Sequence, residues 1–108
     1  MRRWIGTLAI VALATAAGSA RAAEPDGAAL YAANCAKCHG PTGNADTPVA
    51  KAMKVASLHD PKLAASDGPA FVVDHVRTDP KHATVSKSVK DADLAAIASF
   101  VQTLASGK

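Results

Sequence analysis

Two cysteines and a histidine crowd into five consecutive residues of this 108-residue chain, Cys35-Ala36-Lys37-Cys38-His39. On a helix, residues three apart share a face, so both thiols and the imidazole can reach one group. A disulfide between such near neighbours closes a loop of a few residues and constrains the unfolded chain little. A thioredoxin-type dithiol needs a βαβ context, which the sequence lacks. The segment therefore points to a bound group, with a dithiol or another metal as the alternatives.

The N-terminal segment has the pattern of a secretory signal peptide. Arginines flank an uncharged stretch over residues 4–20, and small residues precede a potential cleavage site between Ala22 and Ala23. The stretch is short for a membrane span, which needs about 20 apolar residues. We expect residues 1–22 to be removed and residues 23–108 to form one exported domain. An uncleaved signal anchor is the alternative, and it would be the chain's membrane contact.

The charge of the whole chain comes largely from that signal. The full sequence carries 12 basic and 9 acidic residues, and three of the arginines precede residue 23. The expected mature domain therefore has a balanced charge, which removes the argument for nucleic-acid binding. Export predicts a periplasmic location.

In an exported protein, the Cys-x-x-Cys-His segment is the signature of covalent c-type haem attachment. Two thiols one helical turn apart can each bond to one vinyl group of a flat porphyrin, and the adjacent histidine can reach the iron. The sequence predicts one haem c, held through two thioethers at Cys35 and Cys38, with His39 as an iron ligand.

Helical periodicity covers most of the expected mature chain, and no alternating strand pattern occurs. Asp26 is a predicted N-cap for the helix that leads into the cysteines. Residues 40–48 predict a loop, and residues 48–55 predict a short helix with Ala50, Met53 and Val49 turned inward.

The C-terminal half predicts two further helices. Ser66 is the expected cap of one, with Phe71, Val72, His75 and Val76 on one stripe. Residues 78–87 are polar, contain a proline and are expected to be loop. Ser88 is expected to cap the last helix in a capping box with Asp91. The apolar face of that helix consists of Leu94, Ile97, Ala98, Val101, Leu104 and Ala105.

The chain resembles the class I monohaem cytochromes c of bacterial periplasms. The resemblance rests on Gly27, Tyr31, the Cys35–Gly40 segment, the Gly43 loop with Thr47-Pro48, and residues 100–104. It implies an all-α fold in which the N- and C-terminal helices cross and short helices and loops wrap one haem. Gly27 would allow the close approach, with Tyr31 and Phe100 packed at the crossing.

The second iron ligand is where the sequence departs from that family. The family's usual methionine, in the loop before the last helix, is missing, and Met53 lies in a predicted packing helix. His82 occupies the corresponding position and is the favoured ligand, since neutral imidazole binds iron well. His75 is the runner-up, and Met53 remains open. His59 resembles a turn residue near a helix start. The family also implies that His39 donates to a loop carbonyl, expected near Pro48.

The resemblance implies an electron carrier, which exchanges electrons with a redox protein donor and acceptor. With His39 and His82 as its two ligands, we expect the iron to be low-spin. The alternative is a small-ligand sensor or peroxidase-like enzyme with an open distal position. No acid–base pair is evident in the sequence beside His82, which favours the carrier. A lysine group at the haem mouth could steer an acidic partner. Its expected members are Lys37, Lys51, Lys81 and Lys87.

Overall fold

The computed structural model describes residues 24–107, and this part of the chain is all-helical, with no strand. The predicted signal peptide and its cleavage site lie outside the described residues. None of the helices in residues 24–107 has the length and apolar character that crossing a membrane requires. The helices are α1 (Gly27–Asn34), α2 (Ala36–His39), α3 (Pro48–Met53), α4 (Pro61–Ala64), α5 (Gly68–Thr78), a 3₁₀ helix (Pro80–His82), α6 (Ala83–Ser88) and α7 (Asp91–Ala105).

The first and last helices pack directly on each other, as predicted. A Cβ atom added to Gly27 would lie 2.3 Å from the carbonyl oxygen of Ala96, so only glycine allows this approach. The Tyr31 and Phe100 rings pack beside it, with centroids 5.2 Å apart and planes inclined by 56°. The crossing that the family resemblance implied is therefore confirmed at the residues expected to make it.

The core lies on the face of α7 that turns toward α1, α4 and α5. Its most buried members are Tyr31, Leu94, Ile97, Ala98 and Val101, each at most 3% exposed. The periodicity predicted this face of α7, while Leu104 and Ala105 pack at its margin, partly exposed. Few large side chains are fully buried, and the core is small.

Helix α1 also begins where the sequence predicts it. Asp26 accepts hydrogen bonds from the backbone N–H groups of Ala28 and Ala29, at 3.1 and 3.2 Å. A carboxylate at this position satisfies amides that have no partner within the helix. The predicted N-cap is confirmed.

The other two predicted caps are wrong. Helix α5 begins at Gly68 with Asp67, not Ser66, at its cap position. Ser88 ends α6 and donates to the carbonyl of Thr84 at 3.0 Å instead of capping α7. Short-range capping patterns are shared by many non-helical segments, so the pattern alone misplaced both starts.

The predicted loop over residues 78–87 is also wrong, because it consists largely of the 3₁₀ helix and α6. Proline at the first position of a helix costs nothing, since its missing N–H would have no intrahelical partner there. Pro80 occupies this position, and Asp79 caps the turn by accepting from the Lys81 N–H at 2.9 Å. Asp60 and Pro61 start α4 in the same way.

Arg77 joins the elements on this side of the molecule. Its guanidinium donates to the carbonyl of Ser86 and, at 3.0 Å, to the carbonyl of Val89. It also pairs with Asp91 at 2.7 Å, at the start of α7. The side chain thereby fixes α5, α6 and α7 relative to each other and holds the segment that precedes the last helix.

Helix α3 is shorter than expected. It ends at Met53, where Lys54 takes a left-handed conformation with φ of 55°. Ala50 is buried as predicted and Val49 is partly buried, but the Met53 side chain is 52% exposed. The prediction that Met53 packs inward in the core is wrong: Met53 lies at the end of the helix and lines a cavity.

Candidate functional site

A cavity of about 430 Å³ opens between the α1–α2 corner, the segment of residues 53–58, α5 and the 3₁₀ helix. This volume is within the usual range for ligand pockets. Core residues such as Leu94 and Ile97 form its floor. All four of the predicted site residues, Cys35, Cys38, His39 and His82, line this cavity.

The two cysteines lie on a single helical turn. The carbonyl of Cys35 accepts from the N–H groups of Cys38 and His39, at 3.2 and 3.0 Å, so that the segment is one compact unit. Burial, and secondarily the neighbouring Cys38, raise the pKa of the Cys35 thiol to about 11. A thiol that stays protonated at neutral pH is a poor nucleophile, so Cys35 is not an activated thiol in this structure.

Two side-chain hydrogen bonds hold the C-terminal end of this unit in place. The Tyr31 hydroxyl donates to the carbonyl of Gly40 at 2.7 Å. The Thr47 hydroxyl donates to the carbonyl of Cys38 at 3.1 Å. Burial, reinforced by the nearby Cys35, raises the pKa of Tyr31 to about 12, so this hydroxyl remains a donor over the whole neutral range.

The orientation of His39 is set by a backbone carbonyl. Its Nδ1 lies 3.3 Å from the carbonyl oxygen of Ala56, and an Nδ1–H donor there leaves the Nε2 lone pair free. The expectation that this carbonyl lies near Pro48 is wrong. The chain passes α3 and turns back, where the Leu58 N–H bonds to the Gly43 carbonyl at 2.8 Å. Burial lowers the pKa of His39 and favours the neutral imidazole.

His82 faces His39 across the cavity. The centroids of the two imidazole rings are 6.2 Å apart, and their planes are within 7° of parallel. Two metal–nitrogen bonds of about 2.0 Å, with each ring centre about 1.1 Å beyond its nitrogen, would separate the centres by roughly 6.2 Å. The separation and the parallel planes therefore fit a single metal atom between the two rings.

A second histidine and a carboxylate lie beside His82. Asp79 Oδ2 is 3.1 Å from Nε2 of His75 and 3.6 Å from Nδ1 of His82. The ligand atoms of these three residues lie within 4.8 Å of one another. The capping bond from the Lys81 N–H, followed by the nearby histidines, lowers the pKa of Asp79, which is therefore ionised at neutral pH.

The sequence missed this group. It showed no acid–base pair beside His82, whereas the structure places His75 and Asp79 there. The available signal was the Asp-Pro pair at residues 79 and 80, which typically starts a helical turn and would have placed Asp79 one turn from both histidines.

The remaining candidate residues occupy other positions. His59 is exposed, and its Nε2 lies 2.8 Å from the carbonyl oxygen of Thr42. His75 lines the same cavity but is exposed, and it stacks on Phe71 with ring centroids 6.0 Å apart. Met53 lines the cavity, in the segment that precedes Ala56.

The model of the cytochrome c family matches residues 25–105, which is most of the chain. The chain therefore belongs to the cytochrome c family, whose members bind covalent haem c with iron and transfer electrons. No curated protein and no solved structure gives a significant match.

Proposed function

We propose that this protein is a periplasmic one-electron carrier with one haem c, joined through thioethers to Cys35 and Cys38. In this proposal, His39 and His82 are the two axial ligands of the iron. The observation that carries it is the pair of parallel imidazoles 6.2 Å apart across a cavity that begins at the two thiols. Further support comes from the family, which binds its haem at a Cys-x-x-Cys-His segment.

Each residue of the site has a separate task. The single turn of α2 presents both thiols to one edge of the cavity, and Tyr31 and Thr47 hold that turn at its carbonyls. The Ala56 carbonyl favours the His39 tautomer with hydrogen on Nδ1, so that Nε2 would be free to hold the iron. His82 approaches from the opposite wall, on the turn that Asp79 caps.

The ligand set explains the expected chemistry. Two imidazole nitrogens favour six-coordinate, low-spin iron in both oxidation states, so little structural change accompanies electron transfer. Methionine ligation raises the reduction potential of cytochromes c, and the proposed histidine pair lacks that contribution. We therefore expect a potential below that of relatives with histidine and methionine ligands.

The location and the partners follow from the sequence pattern. The predicted signal peptide over residues 1–22 supports export to the periplasm, and the balanced charge of the remaining residues gives no support to nucleic-acid binding. The partners in this proposal are a redox protein donor and a redox protein acceptor. Contact with a membrane would occur only through an uncleaved signal segment.

A second candidate function has one observation in its favour. The His75–Asp79 pair lies beside the distal ligand, where an acid–base pair could serve peroxide or another small ligand. That chemistry requires a coordination position that His82 leaves open. The two functions therefore differ in whether His82 binds the iron in the resting protein.

Spectroscopy of the purified holoprotein tests the proposal. We expect low-spin optical and electron paramagnetic resonance spectra typical of two nitrogen ligands, and an intact mass that includes one haem and no free thiol. Met53→Leu is the control and should leave these spectra unchanged. A sulfur-ligation signature that disappears in this variant, a high-spin resting state, or a chain without haem would each contradict the proposed site.

A further inference from the structure

The Asp79 carboxylate uses its two oxygens for different purposes. Oδ1 accepts from the Lys81 N–H at 2.9 Å and caps the 3₁₀ helix. Oδ2 faces the two histidines, 3.1 Å from His75 Nε2 and 3.6 Å from His82 Nδ1. Because the capping bond fixes the carboxylate, the position of Oδ2 is set by the backbone of the same turn that carries His82.

The Nδ1 atom of His82 needs a partner. It is buried and has no hydrogen bond in the structure. A buried ring nitrogen that carries a hydrogen is costly to leave unpaired. The Asp79 carboxylate is 3.6 Å away, just beyond hydrogen-bond distance, and a small rotation of either side chain closes the gap.

We infer that Asp79 is a positioning residue for His82, accepting from Nδ1–H so that Nε2 points toward His39. The inference rests on the proposed function, in which His82 binds the iron. A carboxylate behind a metal-bound imidazole fixes its tautomer and ring orientation and raises its basicity. Asp79 thereby strengthens the bond between His82 and the iron and disfavours an open distal position.

His75 also contacts Oδ2 of Asp79 and thereby limits the effect of Asp79 on His82. Its ring stacks on Phe71 and contacts His82 edge-on, with ring centroids 5.3 Å apart. Because Oδ2 lies closer to His75 than to His82, removal of the His75 ring leaves this oxygen to His82 alone. The two neighbours of His82 therefore act in opposite directions on its bond to the iron.

The chain offers a matched control for a test of Asp79. Asp60 precedes Pro61 and Lys62 and accepts from the Lys62 N–H at 2.9 Å, the same cap on the same local sequence. Asparagine retains a carbonyl oxygen for the capping bond in both turns. At Asp79, however, its amide presents a donor where the His82 N–H needs an acceptor.

The experiment measures how fast carbon monoxide binds to the reduced holoproteins, a rate that the departure of His82 limits. We expect Asp79→Asn to bind carbon monoxide about 10- to 100-fold faster than the wild type, the usual range for loss of such a partner. Asp60→Asn should stay within about twofold of the wild type. Ferric resonance spectra should shift in Asp79→Asn and remain unchanged in Asp60→Asn.

His75→Ala separates positioning from general loosening of the turn. If Asp79 positions His82, this variant should bind carbon monoxide no faster than the wild type, even if Asp79→Asn folds poorly. Equal acceleration in His75→Ala, or a wild-type rate in Asp79→Asn, would overturn the inference while leaving a two-histidine wild type intact. A wild type without two-histidine spectra would instead refute the proposed ligands.

Discussion

Two turns of this protein share a local sequence and differ in the side chain that each one places in the interior. The Asp60 turn is Asp60-Pro61-Lys62-Leu63, and the Asp79 turn is Asp79-Pro80-Lys81-His82. In each turn the aspartate caps a short helix at 2.9 Å and proline takes its first position. The fourth residue then points inward. It is Leu63, an apolar core residue at the edge of the cavity, for one turn and His82 in the cavity wall for the other.

In both turns the local structure directs the fourth residue toward the interior, and the identity of that residue decides its role. The residues around each turn suit its fourth residue. The Leu63 carbonyl packs so closely on Gly68 that a Cβ added to the glycine would lie 2.1 Å from its oxygen, so the end of the Asp60 turn is closely packed around Leu63. The Asp79 turn is surrounded by His75 and the Asp79 carboxylate, polar groups suited to an imidazole.

The largest effect on iron ligation should come from giving the Asp79 turn the same kind of fourth residue as the Asp60 turn. In His82→Leu, the fourth residue is apolar in both turns, so the iron loses its proposed distal nitrogen. We expect a high-spin or water-ligated ferric spectrum and rapid carbon monoxide binding in the reduced protein. His59→Gln is the control and should retain the wild-type spectra, because His59 bonds to Thr42 outside the cavity. An unchanged low-spin spectrum in His82→Leu would move the ligand to His75 or Met53.

The corresponding change in the Asp60 turn should affect stability and leave ligation alone. Leu63 is 7% exposed and belongs to the core, so Leu63→Ala removes buried apolar contacts. We expect a loss of about 2–5 kcal/mol in the free energy of unfolding of the holoprotein, measured by denaturant titration. The low-spin spectrum of the folded variant should match the wild type. A change of ligands in Leu63→Ala would show that the two turns are not separable.

A smaller effect, on how stability depends on pH, is expected from Tyr31, which belongs to neither turn. Burial raises the pKa of Tyr31 from 10.0 to about 12, so folding favours the protonated phenol. Its contribution is complete below pH 10 and is lost as the pH rises toward 12, by about 2–3 kcal/mol in the free energy of unfolding. Tyr31→Phe should weaken the protein at neutral pH and show a shallower decline between pH 10 and 12. Parallel alkaline curves for the two proteins would contradict this assignment.

The sequence predicted the fold where side-chain type and spacing leave few choices. The apolar stripe of α7, the Asp26 cap and the glycine at the crossing all follow from periodicity or sterics within a few residues. The start of α7 was missed because Arg77 holds that segment from α5, through contacts with residues 12 and 14 positions along the chain. The helical turns over residues 80–88 were missed although the Asp79-Pro80 pair is a local signal for a helix start.

The site was predictable to a similar extent. The Cys-x-x-Cys-His segment and the position of His82 gave candidates that the structure brings to one cavity. The carbonyl that orients His39 was misplaced to the Pro48 region, because the return of the chain to Ala56 depends on a backbone contact with Gly43. The position of Asp79 beside two histidines was not predicted, because it exists only once the 3₁₀ helix has formed.

The packing of α1 against α7 also makes the cysteine segment depend on a distant part of the chain. Helix α1 closes on the Ala96 carbonyl, 69 residues beyond Gly27, and contacts over such a separation close a long loop and are slow to form. The Cys35–His39 segment directly follows α1, so its final packing depends on the same distant contact.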